Sequence, residues 1–258
     1  MEKPRYSLSD PPSMNGDQRG MSARRQGPPT VGAGALAPSL RVGLIDLAVG
    51  AVDCACVTSP AVAHTWAEGS MGKLIYAANI SLDGFIEDES GSFDWSLPDE
   101  DVHAFWNEHE RHIGTSLYGR RMYETMRVWD SDDWLTNEPP VVREYAEIWR
   151  EADKVVYSTS LTDVSTARTR IERQFEPEAV RRLKETSGPD LSIGGAGIAA
   201  EAFRHGLVDE CVLLLCPVLV GGGKPALPRG VRLDLELLEH RRFDNGVVYV
   251  RHAVRHPA

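Results

Sequence analysis

Cysteine is scarce, and the four present (Cys54, Cys56, Cys211 and Cys216) fall in unlike surroundings, one pair in a weakly patterned stretch and the other in an apolar, strand-like run. Neither pair makes a disulfide framework, so a reducing cytoplasm is expected. Long hydrophobic runs are missing as well. No stretch reaches the ~18 uninterrupted apolar residues that a membrane-spanning helix needs; the nearest, Val31 to Trp66, is cut by Pro38, Arg41, Asp46, Asp53 and Pro60. The first 30 residues are polar and rich in Pro, Gly and Ser, which argues against a secretory leader. Positive charge is in short supply: 28 Lys and Arg against 38 Asp and Glu leave a formal charge of -10. Such a surface repels phosphate backbones and anionic headgroups, so neither nucleic acid nor membrane is an expected partner. What remains, 42% hydrophobic and 26% charged over 258 residues, is ordinary globular usage.

Two compositions meet near Met71. The first 39 residues hold six Pro, five Gly and five Ser and no periodicity, so they bury too little to offset chain entropy and are expected to be disordered. Leu40, Leu44, Leu47 and Ala48 suggest a short helix whose pattern dissolves at Cys54, Cys56 and Pro60. Residues 1–70 carry six basic and six acidic side chains, leaving the whole negative balance to 71–258, with 22 basic and 32 acidic. A strand-forming run begins directly after Met71, so residues 1–70 are expected to be an extension, with Met71 a candidate true start. Residues 71–258 are expected to form one self-sufficient domain.

That domain alternates strand and helix, which argues an α/β fold. Strands are expected at 73–80, 115–118, 154–158, 167–171, 191–193 and 210–219, and helices around 122–126, 141–150, 177–186 and 198–205. Val102, Phe105, Trp106, His109 and Ile113 fall on one helical face after Pro98 and three acidic residues. Residues 232–243 and 247–255 flank Asp244-Asn245-Gly246, a type I′ hairpin signal. The expected architecture is a mostly parallel sheet of about eight strands with an antiparallel C-terminal hairpin and flanking helices.

Two glycine turns carry candidate chemistry. Ile193-Gly-Gly-Ala-Gly197 lies between a strand and a helix, where unhindered N–H groups suit a pyrophosphate. The spacing of Gly195 to Ala200 matches G-x-G-x-x-A, yet the next strand, Cys211 to Cys216, ends without the acid of a dinucleotide fingerprint. The bland alternative is a tight turn with no ligand. Tyr118-Gly-Arg-Arg121 repeats the layout and adds two guanidinium groups, which suit a phosphate monoester such as the 2′-phosphate of NADP. Ser158-Thr-Ser160 offers hydroxyls for the same group; a solvated helix start is the competing account of the arginines.

Ser81-Leu-Asp-Gly84, Tyr118-Gly-Arg-Arg-Met-Tyr-Glu124, Ile193-Gly-Gly-Ala-Gly197 and Pro217-Val-Leu-Val-Gly-Gly-Gly223, in this order, resemble the dihydrofolate reductase-like superfamily. Within it the chain is most similar to the reductase domain of the bifunctional riboflavin-biosynthesis deaminase/reductase and its stand-alone bacterial relatives, over residues 72–256. Residues 1–70 hold no His-x-Glu or Pro-Cys-x-x-Cys, so a deaminase is not expected. The resemblance implies an NADPH-dependent reductase, a small heterocyclic substrate such as a ribosylaminopyrimidine phosphate, and a homodimer. It implies Gly119, Arg120 and Arg121 near the cofactor phosphates, Ser158 and Thr159 at the 2′-phosphate end, and Gly194, Gly195, Ala196 and Gly197 at the pyrophosphate. Asn79 and Asp83 would lie near nicotinamide and substrate, as catalytic candidates; Asp83-Gly84 is equally a plain turn pair. A dihydrofolate or pterin reductase and a non-catalytic nucleotide-binding module are the alternatives.

Other features carry less. His103, His109 and His112 lack the i, i+4 zinc spacing and are expected as partly exposed side chains, so no metal site is expected. Gly221-Gly-Gly-Lys224 lacks a following Ser or Thr and is expected as a loop beside the substrate. Trp95, Trp106, Trp129, Trp134 and Trp149 are expected to pack core and loops.

Overall fold

The computed structural model describes residues 71–255, so the expectations for 1–70, the Cys54/Cys56 pair among them, lie outside the described residues. The chain runs β1 (Leu74–Ser81), β2 (Phe85–Glu87), α1 (Glu100–Glu110), β3 (Ile113–Gly119), α2 (Arg120–Met126), α3 (Pro140–Glu151), β4 (Asp153–Tyr157) and β5 (Thr169–Glu172). It continues through α4 (Pro177–Thr186), β6 (Asp190–Gly194), α5 (Ala196–Arg204), β7 (Glu210–Cys216), β8 (Lys224–Pro225), β9 (Asp234–Arg242) and β10 (Val248–Arg255).

Local chemistry explains most boundaries. Asp99 caps α1, its carboxylate accepting from the Val102 N–H at 3.0 Å, and Glu100 and Asp101 complement the helix dipole. Pro140 and Pro177 open α3 and α4, where a missing N–H costs nothing. At the other end of α3 the buried Lys154 ammonium donates to the carbonyls of Trp149 (3.0 Å) and Ala152 (2.8 Å), and burial pushes its pKa down to about 8.

The eight-stranded sheet has the order β5-β4-β3-β6-β1-β7-β10-β9. From β5 to β7 every pairing is parallel, and β10 pairs antiparallel with both β7 and β9. Side chains alternate between two covered faces. Leu74, Tyr76, Leu117, Val155, Leu191 and Ile193 meet Val180 of α4 and Ile198, Ala199, Ala202 and Phe203 of α5. On the other face Ile75, Val212, Leu214 and Tyr249 meet Val102, Phe105 and Trp106 of α1, while Tyr118 and Val156 meet Tyr123 and Trp149. The mostly parallel sheet with a C-terminal antiparallel hairpin is thus as the sequence implied, and a short ribbon, β2-β8, lies apart from it.

Several details differ. Ile113 keeps helical spacing with His109 but opens β3, because α1 has already ended at Glu110. The β9-β10 hairpin is not type I′, which needs positive φ at both central residues. Among residues 244–246 only Gly246 has positive φ (88°), and its N–H donates to the Phe243 carbonyl at 3.1 Å, giving a three-residue loop with a glycine bulge. The strand expected at 210–219 stops at Cys216, since Pro217 has no N–H to donate. His103 is not partly exposed: it is buried, bonded to Asn107 (3.2 Å) and set edge-on to Trp129 and Tyr145. Cys211 and Cys216 are free and buried.

One half-buried carboxyl predicts a pH dependence. Burial pushes the Glu110 carboxyl up from 4.5 to about 7, so the native state holds its proton more tightly than the unfolded chain does. Its contribution is therefore full below about pH 4.5 and is lost as pH rises through 7. Glu110→Gln should match the wild type near pH 4.5 and exceed it at pH 8 by up to about 3 kcal/mol, at about 1.36 kcal/mol per pKa unit. Urea midpoints at the two pH values check this.

Candidate functional site

Because the strands from β4 to β7 run one way, their carboxyl ends share one edge of the sheet, the side where ligands of open parallel sheets bind. The chain leaves β1 for α1 on one face and β6 for α5 on the other, so the connections part between two adjacent strands. Every candidate residue lies on this edge: Ser158 and Thr159 after β4, Gly119 to Arg121 after β3, Gly194 to Gly197 after β6, and Asn79 and Asp83 at the end of β1. From β4 to β1 is three inter-strand steps, about 14 Å.

The two glycine turns sit side by side. Gly195 has φ +101° and ψ 119°, a conformation that a residue with a Cβ rarely adopts, and a Cβ there would stand 3.8 Å from the Gly119 nitrogen. A Cβ at Gly194 would stand 3.0 Å from the Tyr118 ring, so this glycine serves close packing. Gly197 differs from both: it is exposed, and a Cβ on it would meet nothing within 4 Å. It lies in the first turn of α5, whose N-terminus no side chain caps. The result is an open set of backbone N–H donors beside Gly119.

Charge surrounds this cradle. Arg120 pairs with Glu124 one turn along α2 (3.0 Å), and Arg121, its side chain 73% exposed, stands 3.9 Å from Glu87 of β2. Lys224 stands 3.9 Å from the same carboxylate, so two cations share one acid. Ser158 is buried, its oxygen accepting from the N–H groups of Ser160 (3.3 Å) and Leu161 (2.9 Å), while Thr159 is exposed.

At the end of β1 the polar groups hold backbone. Asp83 accepts from the N–H groups of Val220 (3.2 Å) and Gly221 (2.8 Å), tying the β1 turn to the glycine loop after β7. Hydrogen bonds, the Ser81 hydroxyl first and then these backbone groups, hold its carboxyl below the usual range. The Asn79 amide donates to the Ser96 carbonyl (3.1 Å) and accepts from the Trp106 indole (3.2 Å).

The model of the RibD C-terminal domain family matches residues 72–249. The chain belongs to that family. Relatives within reach include the uncharacterized Bacillus subtilis protein YyaP, 29% identical over 180 residues that make up 69% of this chain and 93% of that one. Among solved structures, a putative riboflavin biosynthesis protein from a Shewanella species superposes with a TM-score of 0.57 at 19% identity, covering 72% of this chain and all of that one. A Corynebacterium diphtheriae pyrimidine reductase-like protein gives 0.55 at 13% identity, covering 72% and 93%. At these identities the structures establish a shared fold.

One residue of this RibD-type domain was not singled out from sequence. Arg173, just past β5, donates to the carbonyls of Ser158 (3.0 Å) and Leu161 (2.5 Å) and so clamps the Ser158 loop. In sequence it is indistinguishable from any solvated arginine. A cavity of about 600 Å³, lined by Glu110, Arg111, Asp153, Arg168 and Arg170 among others, lies at the opposite, amino edge, away from the glycine turns.

Gly197 offers a test in which stability and binding move in opposite directions. Gly197→Ala replaces a helical glycine in open space, so it should raise stability by about 0.4–1 kcal/mol. The same methyl group stands in the mouth of the α5 cradle, so any phosphate ligand held there, with NADPH as the probe, should bind several-fold more weakly. Thermal melts and a fluorescence titration read the two effects.

Proposed function

We propose that this RibD-type domain is an NADPH-dependent reductase of a small heterocyclic substrate, with 5-amino-6-(5-phosphoribosylamino)uracil or a close analogue as the leading candidate. The observation that carries the reading is the pair of adjoining glycine turns: Gly195 beside Gly119, with Gly197 open to solvent at the uncapped start of α5. That cradle fits a pyrophosphate, which backbone N–H groups and a helix dipole bind together. Family membership supports it, and the fold is shared with the Corynebacterium protein described as pyrimidine reductase-like.

In this reading Gly194, Gly195, Ala196 and Gly197 hold the pyrophosphate beside Gly119, and Arg120 and Arg121 reach the 2′-phosphate. Ser158 and Thr159, in the loop that Arg173 clamps, flank the 2′-phosphate. The ~14 Å between the ends of β4 and β1 suits an extended dinucleotide. Bound NADPH supplies a hydride. The chain supplies orientation: Asp83 fixes the loop at 217–221 against the β1 turn, and Asn79 ties β1 to α1 through Trp106. With its pKa lowered, Asp83 stays a carboxylate near neutrality, so it orients the substrate and accepts hydrogen bonds rather than donating a proton.

The test is the purified full chain with NADPH or NADH and a panel of pterins and ribosylaminouracil phosphates, followed at the reduced nicotinamide band. Oxidation of NADPH with the phosphoribosylaminouracil is the expected result. Turnover of a pterin alone would reassign the substrate, and tight NADPH binding without turnover of any panel member would make this a binding module.

A further inference from the structure

The amino edge of the sheet carries a cavity that the reductase reading leaves unused. It holds about 600 Å³, a volume in the range of small-molecule sites, and three helices end on it: Glu110 closes α1, Glu151 closes α3 and Thr186 closes α4, and all three line the wall. The carboxyl end of a helix carries partial negative charge, so the site favours a cation. The chain already sets one against the wall, the Lys154 ammonium donating to the carbonyl of the lining residue Ala152 at 2.8 Å.

The side-chain charges on the wall divide into paired and unpaired. Its arginines are committed: Arg111 pairs with Glu144 (2.8 Å), Arg168 with Asp153 (3.0 Å) and Arg170 with Glu172 (3.3 Å). Arg168 makes its pair from a left-handed backbone (φ 56°), alone among the described non-glycine residues, and strain of this kind gathers at ligand sites. The end of α4 adds only the uncharged Thr186, Ser187 and Pro189. Two acids are left over. Among the described residues neither Glu110 nor Glu151 makes a hydrogen bond or an ion pair, and Ile113, Ile148 and Leu183 give the wall an apolar stretch.

We propose that this cavity binds an aliphatic diamine, one ammonium group pairing with Glu110, the other with Glu151, and the methylene stem lying along the apolar wall. The cavity and the glycine turns are at opposite edges of the sheet, so the inference is independent of the reductase reading.

Isothermal titration of the full chain at pH 8 with linear diamines of increasing length, from propanediamine to hexanediamine, tests it, with butylamine and succinate as controls. The best diamine should bind with a Kd of about 1 mM or tighter, and butylamine, with one charge, about tenfold more weakly. Glu110→Gln and Glu151→Gln should each weaken the best diamine about tenfold, with circular dichroism confirming that both are folded. A pH series adds a readout that loose surface attraction would not give. Burial holds the Glu110 pKa at about 7, with Tyr118 and Tyr145 nearby, so its carboxyl gains charge as pH rises. Affinity should accordingly rise about tenfold from pH 6 to pH 8 in the wild type and stay level in Glu110→Gln. No diamine bound at about 1 mM, butylamine equal to the best diamine, variants that bind as the wild type does, or a preference for succinate would each overturn the proposal.

Discussion

Asp83→Asn should lower turnover by about 10² while leaving NADPH affinity within about twofold, the split expected when a loop beside the substrate, and not the cofactor cradle, loses its position. The physical reason lies in its two acceptors. One Asp83 oxygen takes the Val220 N–H and the other takes the Gly221 N–H. Asparagine keeps one oxygen and sets an NH₂ donor against the second N–H, so the loop loses its fixed position beside the turn. The pH profile separates orientation from proton donation. Because hydrogen bonds lower the Asp83 pKa, the wild-type rate should show no inflection from this group between pH 5 and 8. An Asn variant with unchanged turnover would reduce Asp83 to a turn residue, and an acidic limb near neutrality that vanishes in this variant would restore it as a proton donor.

The Arg120→Ala/Arg121→Ala double variant should lose about 100-fold in NADPH affinity and little in NADH affinity. Charge-assisted contacts to a phosphate are worth about 1.5–3 kcal/mol each. Both arginines are exposed and solvent-screened, so the lower figure applies, about tenfold per residue. Neither guanidinium is firmly committed elsewhere: Arg120 holds an exposed pair with Glu124, and Arg121 is 3.9 Å from Glu87. The wild-type preference for NADPH should therefore shrink as salt rises, as expected for contacts that are screened. Equal affinity of the wild type for both cofactors would remove the 2′-phosphate from the proposal.

The sheet was legible where apolar period and breaker residues agree, as at β1, β4, β6 and the α4 span. It was not legible where an element is shorter than any period: β2 has three residues and β8 two, and they form by pairing across a long gap in the chain. Asn245-Gly246 suits both a type I′ turn and a glycine bulge, and only the backbone of Asn245 distinguishes them. The glycine cradle could be read because its layout is local, strand then glycine then helix. The Asp83 clasp could not, since its partners lie 137 and 138 residues away.

The position of β1 sets the order in which this domain can be completed during synthesis. It is the first strand of the described region yet stands inside the sheet, between β6 and β7. The contacts that bracket it join Lys73 to Asp190 and Leu74 to Asp209, separations of 117 and 135 residues. A ribosome adds roughly 5–20 residues per second, so an emerging β1 waits on the order of ten seconds before either neighbour exists. During that interval Leu74, Ile75, Tyr76 and Ile80, all buried in the finished fold, form an apolar strand open along both sides. A nascent chain stalled before α4 should accordingly bind holdase chaperones, and one extended past β7 and the tunnel should release them.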